Sequence, residues 1–106
     1  MLPYYVYVIR LDDIVIKSKK FQKENPDMNP HLSCFYVGQS AHEPEVRFWQ
    51  HKKGYKSNYF AENFGLGLCP QFYSECNPIS SRKKAEALET YLTRFLREKG
   101  HGVWSH

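Results

Sequence analysis

Cysteine is scarce in this chain: Cys34, Cys69 and Cys76 make an odd number, and no two of them form a close C-x-x-C pair. That excludes a regular disulfide framework and a regular zinc site, leaves a metal-storage or redox role without support, and points to a reducing compartment. Long apolar runs are missing too. Residues 1–11 are apolar but interspersed with tyrosines, close on Arg10 and lack a signal-type cleavage region. Nothing approaches the ~18 apolar residues of a membrane span, so a cytoplasmic protein with no membrane partner is expected. Internal repeats and low-complexity tracts are absent. At 106 residues there is room for one domain and one core, and none for a separate targeting domain.

What is present leans towards a polyanionic partner. Fifteen Lys and Arg stand against eleven Asp and Glu, a formal charge of +4 with a pI near 9.0, which favours nucleic acid through counterion release. Aromatic residues reach 16%, with eight tyrosines and seven phenylalanines. They can fill a core, and tyrosine adds a titratable hydroxyl and a flat face suited to bases.

Tyr4 to Leu11 alternates β-branched and aromatic residues, which predicts a strand with Tyr5, Tyr7 and Ile9 on one face and Val6 and Val8 on the other. Residues 11–32 hold Asp12 and Asp13, a basic cluster at Lys17, Lys19 and Lys20, and Pro26 and Pro30. They read mostly as a solvated loop, with Ile14 to Ile16 able to prolong the strand or form a short one. Ser33 to Gly38 is a second strand, closed where Gly38, Gln39 and Ser40 should turn the chain. Pro44 suits a first helical position, so a helix is placed from there to about Lys53, ended by Gly54. A short helix follows from a Ser57 cap through Phe64, stopped by Gly65. Gln71 to Cys76, between Pro70 and Pro78, reads as a third strand. The last helix is capped by Ser80 or Ser81 and ended by Gly100. Its apolar stripe is Ala85, Leu88, Leu92, Phe95 and Leu96, with Tyr91 and Glu89 at the margins. The order predicts an α+β domain, a small three-stranded antiparallel sheet flanked by helices.

Several residues carry possible chemistry. Glu89 lies about 80° from the stripe centre, where a carboxylate is held rigid yet reaches a cleft. One carboxylate can suffice for Mg²⁺, which keeps several waters; a helix-flank contact is the plainer alternative. Arg47 and His51, four apart, share a helix face that pairs a phosphate fork with a titratable imidazole, or else form a solvated basic face with Lys52 and Lys53. Tyr7 and Tyr36 sit on strands that would neighbour each other, as activating phenols or as packing residues with a hydrogen-bonded tip.

The order Tyr5-Val6-Tyr7, Tyr36-Val37-Gly38, Arg47, His51, Glu89 resembles the GIY-YIG endonuclease superfamily. Stretches such as FYVGQSAHEPEVRFWQHKKGYKSNYF and AEALETYLTRFLREKGHGVWSH look like a compact bacterial-type branch of it. The resemblance spans nearly the whole chain and rests on five elements in order, since any single triplet is uninformative. It implies a metal-dependent endonuclease that hydrolyses phosphodiester bonds, with DNA the expected substrate. The implied catalytic residues are Tyr7, Tyr36, Arg47, His51 and Glu89. Glu89 would be the ligand of Mg²⁺ or Mn²⁺, and Gln39, Lys52, Lys53 and Lys56 would meet the nucleic acid. The resemblance further implies that Arg47 offsets phosphorane charge, that Tyr7, assisted by Tyr36 and His51, orients or deprotonates the attacking water, and that the ion stabilises the departing 3′-oxygen.

Three departures stand out. Tyr5 replaces the first glycine of the family name. Twenty-eight residues separate Tyr7 from Tyr36, roughly twenty more than a short hairpin needs, which marks about 11–32 as an insertion whose lysines could touch nucleic acid. The late asparagine of many members is absent, so His101 or His106 would have to replace it. These changes leave an alternative from another class, a nucleic-acid-binding module of the same fold that has lost its chemistry. Targeting would require a homodimer, the insertion or a partner protein.

Overall fold

The computed structural model describes residues 3–105. The alternating residues at the start of the chain form β1 (Tyr5–Leu11), and Val6, Tyr7, Val8, Ile9 and Leu11 are all buried. Burial on both faces of a strand requires layers above and below it. β2 (Cys34–Ser40) pairs antiparallel with β1, matching Tyr7 to Gly38 and Ile9 to Tyr36. Side chains alternate along a strand, so Tyr7, Ile9, Cys34 and Tyr36 share one face and Val6, Val8, Phe35 and Val37 share the other.

The sheet has four strands in the order β3-β1-β2-β4, and it is mixed. β3 is Gly65–Leu68, antiparallel to β1, and β4 is Gly102–Ser105, parallel to β2. The α+β class holds, while the three-stranded antiparallel sheet does not. Gln71 to Cys76, expected as the third strand, instead follows Pro70 into a 3-10 helix (Pro70–Phe72) and a turn closed by Ser74 N–H donating to Pro70 C=O. Proline at a first helical position favours that winding over extension. The true third strand, Gly-Leu-Gly-Leu, has little intrinsic β preference. It lies beside β1 because Gly65 leaves room that a Cβ would lack against Ala61 C=O and Ile9.

Residues 11–32 are not a solvated loop. A 3-10 helix (Asp13–Lys17) and α1 (Lys19–Glu24) are capped by the side chains of Asp12 and Ser18, and they bury Val15 and Phe21. Phe21 packs against Phe60 and Trp104. The buried Asn25 accepts from Val103 N–H at 2.8 Å and from Arg97 Nε at 3.1 Å. One amide therefore ties the segment to β4 and to the last helix, which is why so short a parallel strand persists.

Three further helices complete the fold: α2 (Pro44–Lys52), α3 (Tyr59–Phe64) and α4 (Arg82–Glu98). α2 and α3 meet the Tyr7 face, through His51 and through Ala61 against Gly65 and Ile9. The opposite face carries Phe35, packed edge-on against Phe72 and His101. α4 is the longest helix, capped by Ser81 and followed by Gly100 at φ 99°. No helix among the described residues is long and apolar enough to cross a membrane.

Candidate active site

Gly38 builds the floor of the site. It lies inside β2, not at a turn, and a Cβ placed on it would stand 2.5 Å from Tyr7 Oη and 2.6 Å from Tyr7 Cζ. The phenol of Tyr7 therefore lies flat across residue 38, a close approach that only glycine permits. Tyr36, diagonal to it on the same face, brings its ring centroid to 6.2 Å.

His51 closes over both phenols from α2 and is fully buried. Its ring centroid is 5.3 Å from that of Tyr36, and its Nε2 is 2.9 Å from Tyr7 Oη. Its Nδ1 accepts from the backbone N–H of Asn58 at 3.1 Å. Because Nδ1 is an acceptor, the neutral ring carries its proton on Nε2 and donates it to the Tyr7 oxygen. That arrangement makes His51 a positioning donor. It holds the phenol and favours its anion instead of taking its proton. The Asn58 side chain also caps α3, accepting from Phe60 and Ala61. One residue thus orients the imidazole and starts the next helix, a role expected of Ser57.

Burial pushes the Tyr7 phenol up to about 12, against the opposing pull of the Arg47 charge and of hydrogen bonding with Tyr36. Tyr36 is pushed higher still, first by burial and then by the charge of an ionised Tyr7. Of the two phenols, Tyr7 is the easier to ionise, and Tyr36 serves as its neutral companion. Arg47 reaches this site from the turn of α2 before His51. Its Nη2 donates to Lys56 C=O at 2.7 Å and its Nη1 to Tyr55 C=O at 3.2 Å. A guanidinium held by neutral carbonyls keeps its full charge available beside the phenol.

Glu89 lies deeper than a stripe margin, only 7% exposed and buried along with Ala85, Leu92, Thr93 and Leu96 of α4. Its Oε2 is buried without a hydrogen-bond partner. Desolvation, helped by Glu86, pushes its carboxyl up to about 7. Its charge in turn pushes both Tyr7 and Tyr36 up, which places the carboxylate within electrostatic reach of the phenols. Among the described residues no three His, Cys, Asp or Glu side chains cluster as a metal cage. Glu89 would be the lone protein carboxylate for an ion that completes its shell with water and substrate oxygens, the habit of Mg²⁺. A buried carboxylate oxygen with no donor of its own suits that position.

Beside Arg47 opens a pocket of about 520 Å³ whose lining includes Gln39, His42, Tyr55, Lys56 and Arg82, with no acidic side chain. Gln39 and Lys56 of the expected nucleic-acid contacts lie here. Lys52 and Lys53 do not. Lys52 Nζ donates to Glu62 C=O at 2.8 Å and Gly65 C=O at 3.0 Å, tying α2 to α3 and β3, and Lys53 lies over the exposed Trp49 ring. A larger pocket, about 720 Å³, lies between residues 24–28 and the second half of α4 and mixes acidic with basic side chains. It lacks Arg47, and neither pocket is lined by Tyr7, Tyr36, His51 or Glu89, which lie buried behind Arg47.

None of the family models, characterised proteins or solved structures compared with the chain matches it.

The site therefore stands on its own geometry. Tyr7, Tyr36 and His51 touch, Arg47 adjoins them, and Glu89 acts on them through its field. His101 is elsewhere: its Nδ1 is 2.7 Å from Ser33 C=O and its ring lies against Phe35, on the sheet face opposite the phenols. His106 falls outside the described residues. Sequence reasoning missed Gly38 and Asn58 as parts of the site, and only the glycine of the Tyr36-Val37-Gly38 triplet carried a signal for either. Cys34, Cys69 and Cys76 are free thiols, and burial pushes Cys34 and Cys69 up, away from reactivity.

Proposed function

We propose that this protein is a metal-dependent endonuclease of the GIY-YIG type, hydrolysing phosphodiester bonds of nucleic acid, with DNA as the preferred polymer. The observation that carries this reading is the Tyr7 oxygen held at 2.9 Å by a buried imidazole, with a pinned guanidinium beside it. A buried phenol needs one hydrogen-bond partner for packing alone; here that partner is itself oriented by Asn58 N–H, and a charged group is held beside it. The orphan carboxylate oxygen of Glu89 supplies the remaining ligand chemistry.

In this proposal the scissile phosphate enters the acid-free pocket and meets Arg47, whose guanidinium gains strength as equatorial oxygens gather charge. Tyr7 orients the attacking water through its phenol oxygen, and its anion accepts the water's proton. The resulting hydroxide forms the new P–O bond as the P–O3′ bond breaks, and the 3′-oxygen takes a proton from solvent. The products are a 5′-phosphate and a 3′-hydroxyl. His51 keeps the phenol in register, and Tyr36 supports the anion by hydrogen bonding. A divalent ion at Glu89 would supply a Lewis acid for the phosphate oxygens.

Plasmid and branched DNA incubated with Mg²⁺ or Mn²⁺ should be cut, and EDTA should stop the reaction. Glu89→Gln should abolish cleavage while leaving metal-free DNA binding within a few fold. A Glu89→Gln protein that cuts at the wild-type rate would refute the metal role. DNA bound but never cut by the native protein would leave the pocket as a binding surface alone.

A further inference from the structure

The acid-free pocket has an aromatic wall that the hydrolysis itself does not use. Tyr55 lines it and stays 55% exposed; Tyr59 and Tyr91 are as open to solvent, but neither lines this pocket. Its backbone is clamped at both ends: its N–H donates to Gln50 C=O at 2.9 Å, and its C=O accepts from Arg47 at 3.2 Å. The next residue, Lys56, sits in the left-handed region at φ 46°, and its C=O accepts the 2.7 Å bond from Arg47. A non-glycine residue in that region is strained and persists where surrounding contacts impose it. Here the imposing contact is the phosphate-binding guanidinium itself. Lys56 Nζ stands 5.7 Å from the Tyr55 ring centroid, so a cation accompanies the ring face.

The backbone that carries the ring is thus fixed relative to Arg47, and the ring is a solvent-facing plane with Lys56 and Arg82 nearby to meet neighbouring phosphates. A nucleobase inside a duplex offers such a plane only its edge, because both of its faces are covered by stacked neighbours. An unpaired base offers a whole face. From this geometry we infer that Tyr55 stacks an unpaired base next to the phosphate held by Arg47, so that the preferred substrate is nucleic acid with single-stranded character at the cut site, such as a fork, flap or single strand. The inference rests on the nuclease reading for its scissile phosphate but concerns the binding step alone.

Fluorescence anisotropy in EDTA and 100 mM salt tests it on three labelled probes: a blunt duplex, the same duplex with a single-stranded arm, and the arm alone. The wild-type protein should prefer the two probes with unpaired bases. Tyr55→Ala should lose roughly 5- to 150-fold on those two, the span expected for one base–aromatic stack, and stay within about twofold on the blunt duplex. Tyr55→Phe should bind as the wild type does, and Tyr55→Leu, which keeps apolar bulk without a π face, should resemble the alanine variant. Tyr91→Ala, which removes an exposed ring from α4 outside the pocket, should bind all three probes normally. Equal losses on duplex and armed probes, or an unaffected Tyr55→Ala, would overturn the inference even if metal-dependent cutting is observed. Selective loss without any cutting would uphold it while refuting the nuclease. Wild-type protein that binds none of the probes would overturn both.

Discussion

Glu89→Gln should stabilise this protein at alkaline pH while removing the proposed nuclease activity. The Glu89 carboxyl is lifted from 4.5 to about 7 by burial, and its Oε2 has no hydrogen-bond donor. An unfolded chain releases this proton near 4.5, whereas the folded chain holds it until about 7. Between those values the folded state binds more protons, so stability falls as pH rises through that window and is flat above it. At 1.36 kcal/mol per pH unit the loss is roughly 3 kcal/mol. Glutamine has the shape of the neutral acid and never ionises, so the variant escapes the loss. Thermal or urea unfolding in EDTA should find the two proteins within about 0.5 kcal/mol at pH 4. At pH 8 the variant should be more stable by roughly 1–3 kcal/mol, on the order of 10 °C in Tm for a chain of this size. Millimolar Mg²⁺ should raise the wild-type Tm at pH 8, because an ion that binds only the folded state adds stability by mass action, and should leave the variant where it was. A variant less stable than wild type at pH 8, or a gap that ignores pH, would show that the carboxylate is not held against its ionisation.

The remaining predictions concern neighbouring parts. At subsaturating Mg²⁺ the cleavage rate should rise with pH through about 7 as Glu89 ionises and keep rising beyond pH 9, because Tyr7 lies near 12; a plateau from about pH 8 upward in a steady-state pH profile would remove Tyr7 as the base. Tyr7→Phe should lower kcat by about 10²–10⁴-fold and cost about 1–3 kcal/mol of unfolding free energy, because the buried His51 Nε2–H loses its acceptor, as single-turnover kinetics and chemical denaturation would report. Gly38→Ala should displace the Tyr7 phenol, cost about 1–3 kcal/mol of stability and depress kcat more than KM, since the new methyl collides with the ring and not with the phosphate pocket; unchanged kinetics would mean the phenol can move at no cost. Asn25→Ala should cost about 2–4 kcal/mol by stranding Val103 N–H and Arg97 Nε while leaving kcat of the folded fraction near wild type, measured by amide exchange of β4 and by activity per folded molecule.

The parts of the fold that announce themselves locally were legible before any coordinates. β1 and β2 follow from alternating β-branched and aromatic residues, and α4 follows from its serine cap, its stripe and Gly100. The helix after Pro44 was also legible, because proline fixes its first turn. In each case the signal lies within the few residues that form the element, and so does most of the stabilising physics. The short strands gave no such signal. Gly-Leu-Gly-Leu and Gly-Val-Trp-Ser are extended because β1 and β2 offer them hydrogen-bonding edges, and an edge supplied by a distant segment leaves no trace in local composition. The helices inside residues 13–24 were hidden likewise, since charge and nearby prolines suggested solvent while Val15 and Phe21 found a core built elsewhere.

The same division runs through the candidate site. The residue types and their order (two phenols, a guanidinium, an imidazole and a late acid) are properties of the chain alone, and they carry the chemical proposal. Which phenol ionises first, which nitrogen of His51 holds the proton and how far the Glu89 carboxyl is lifted were decided only by tertiary structure. Those properties depend on burial and on partners far apart in sequence, such as Asn58 N–H on His51 and Gly38 beneath Tyr7. Sequence could name the functional groups because their chemistry is intrinsic to the side chain; their protonation could not be named, because it is set by the surroundings that folding assembles.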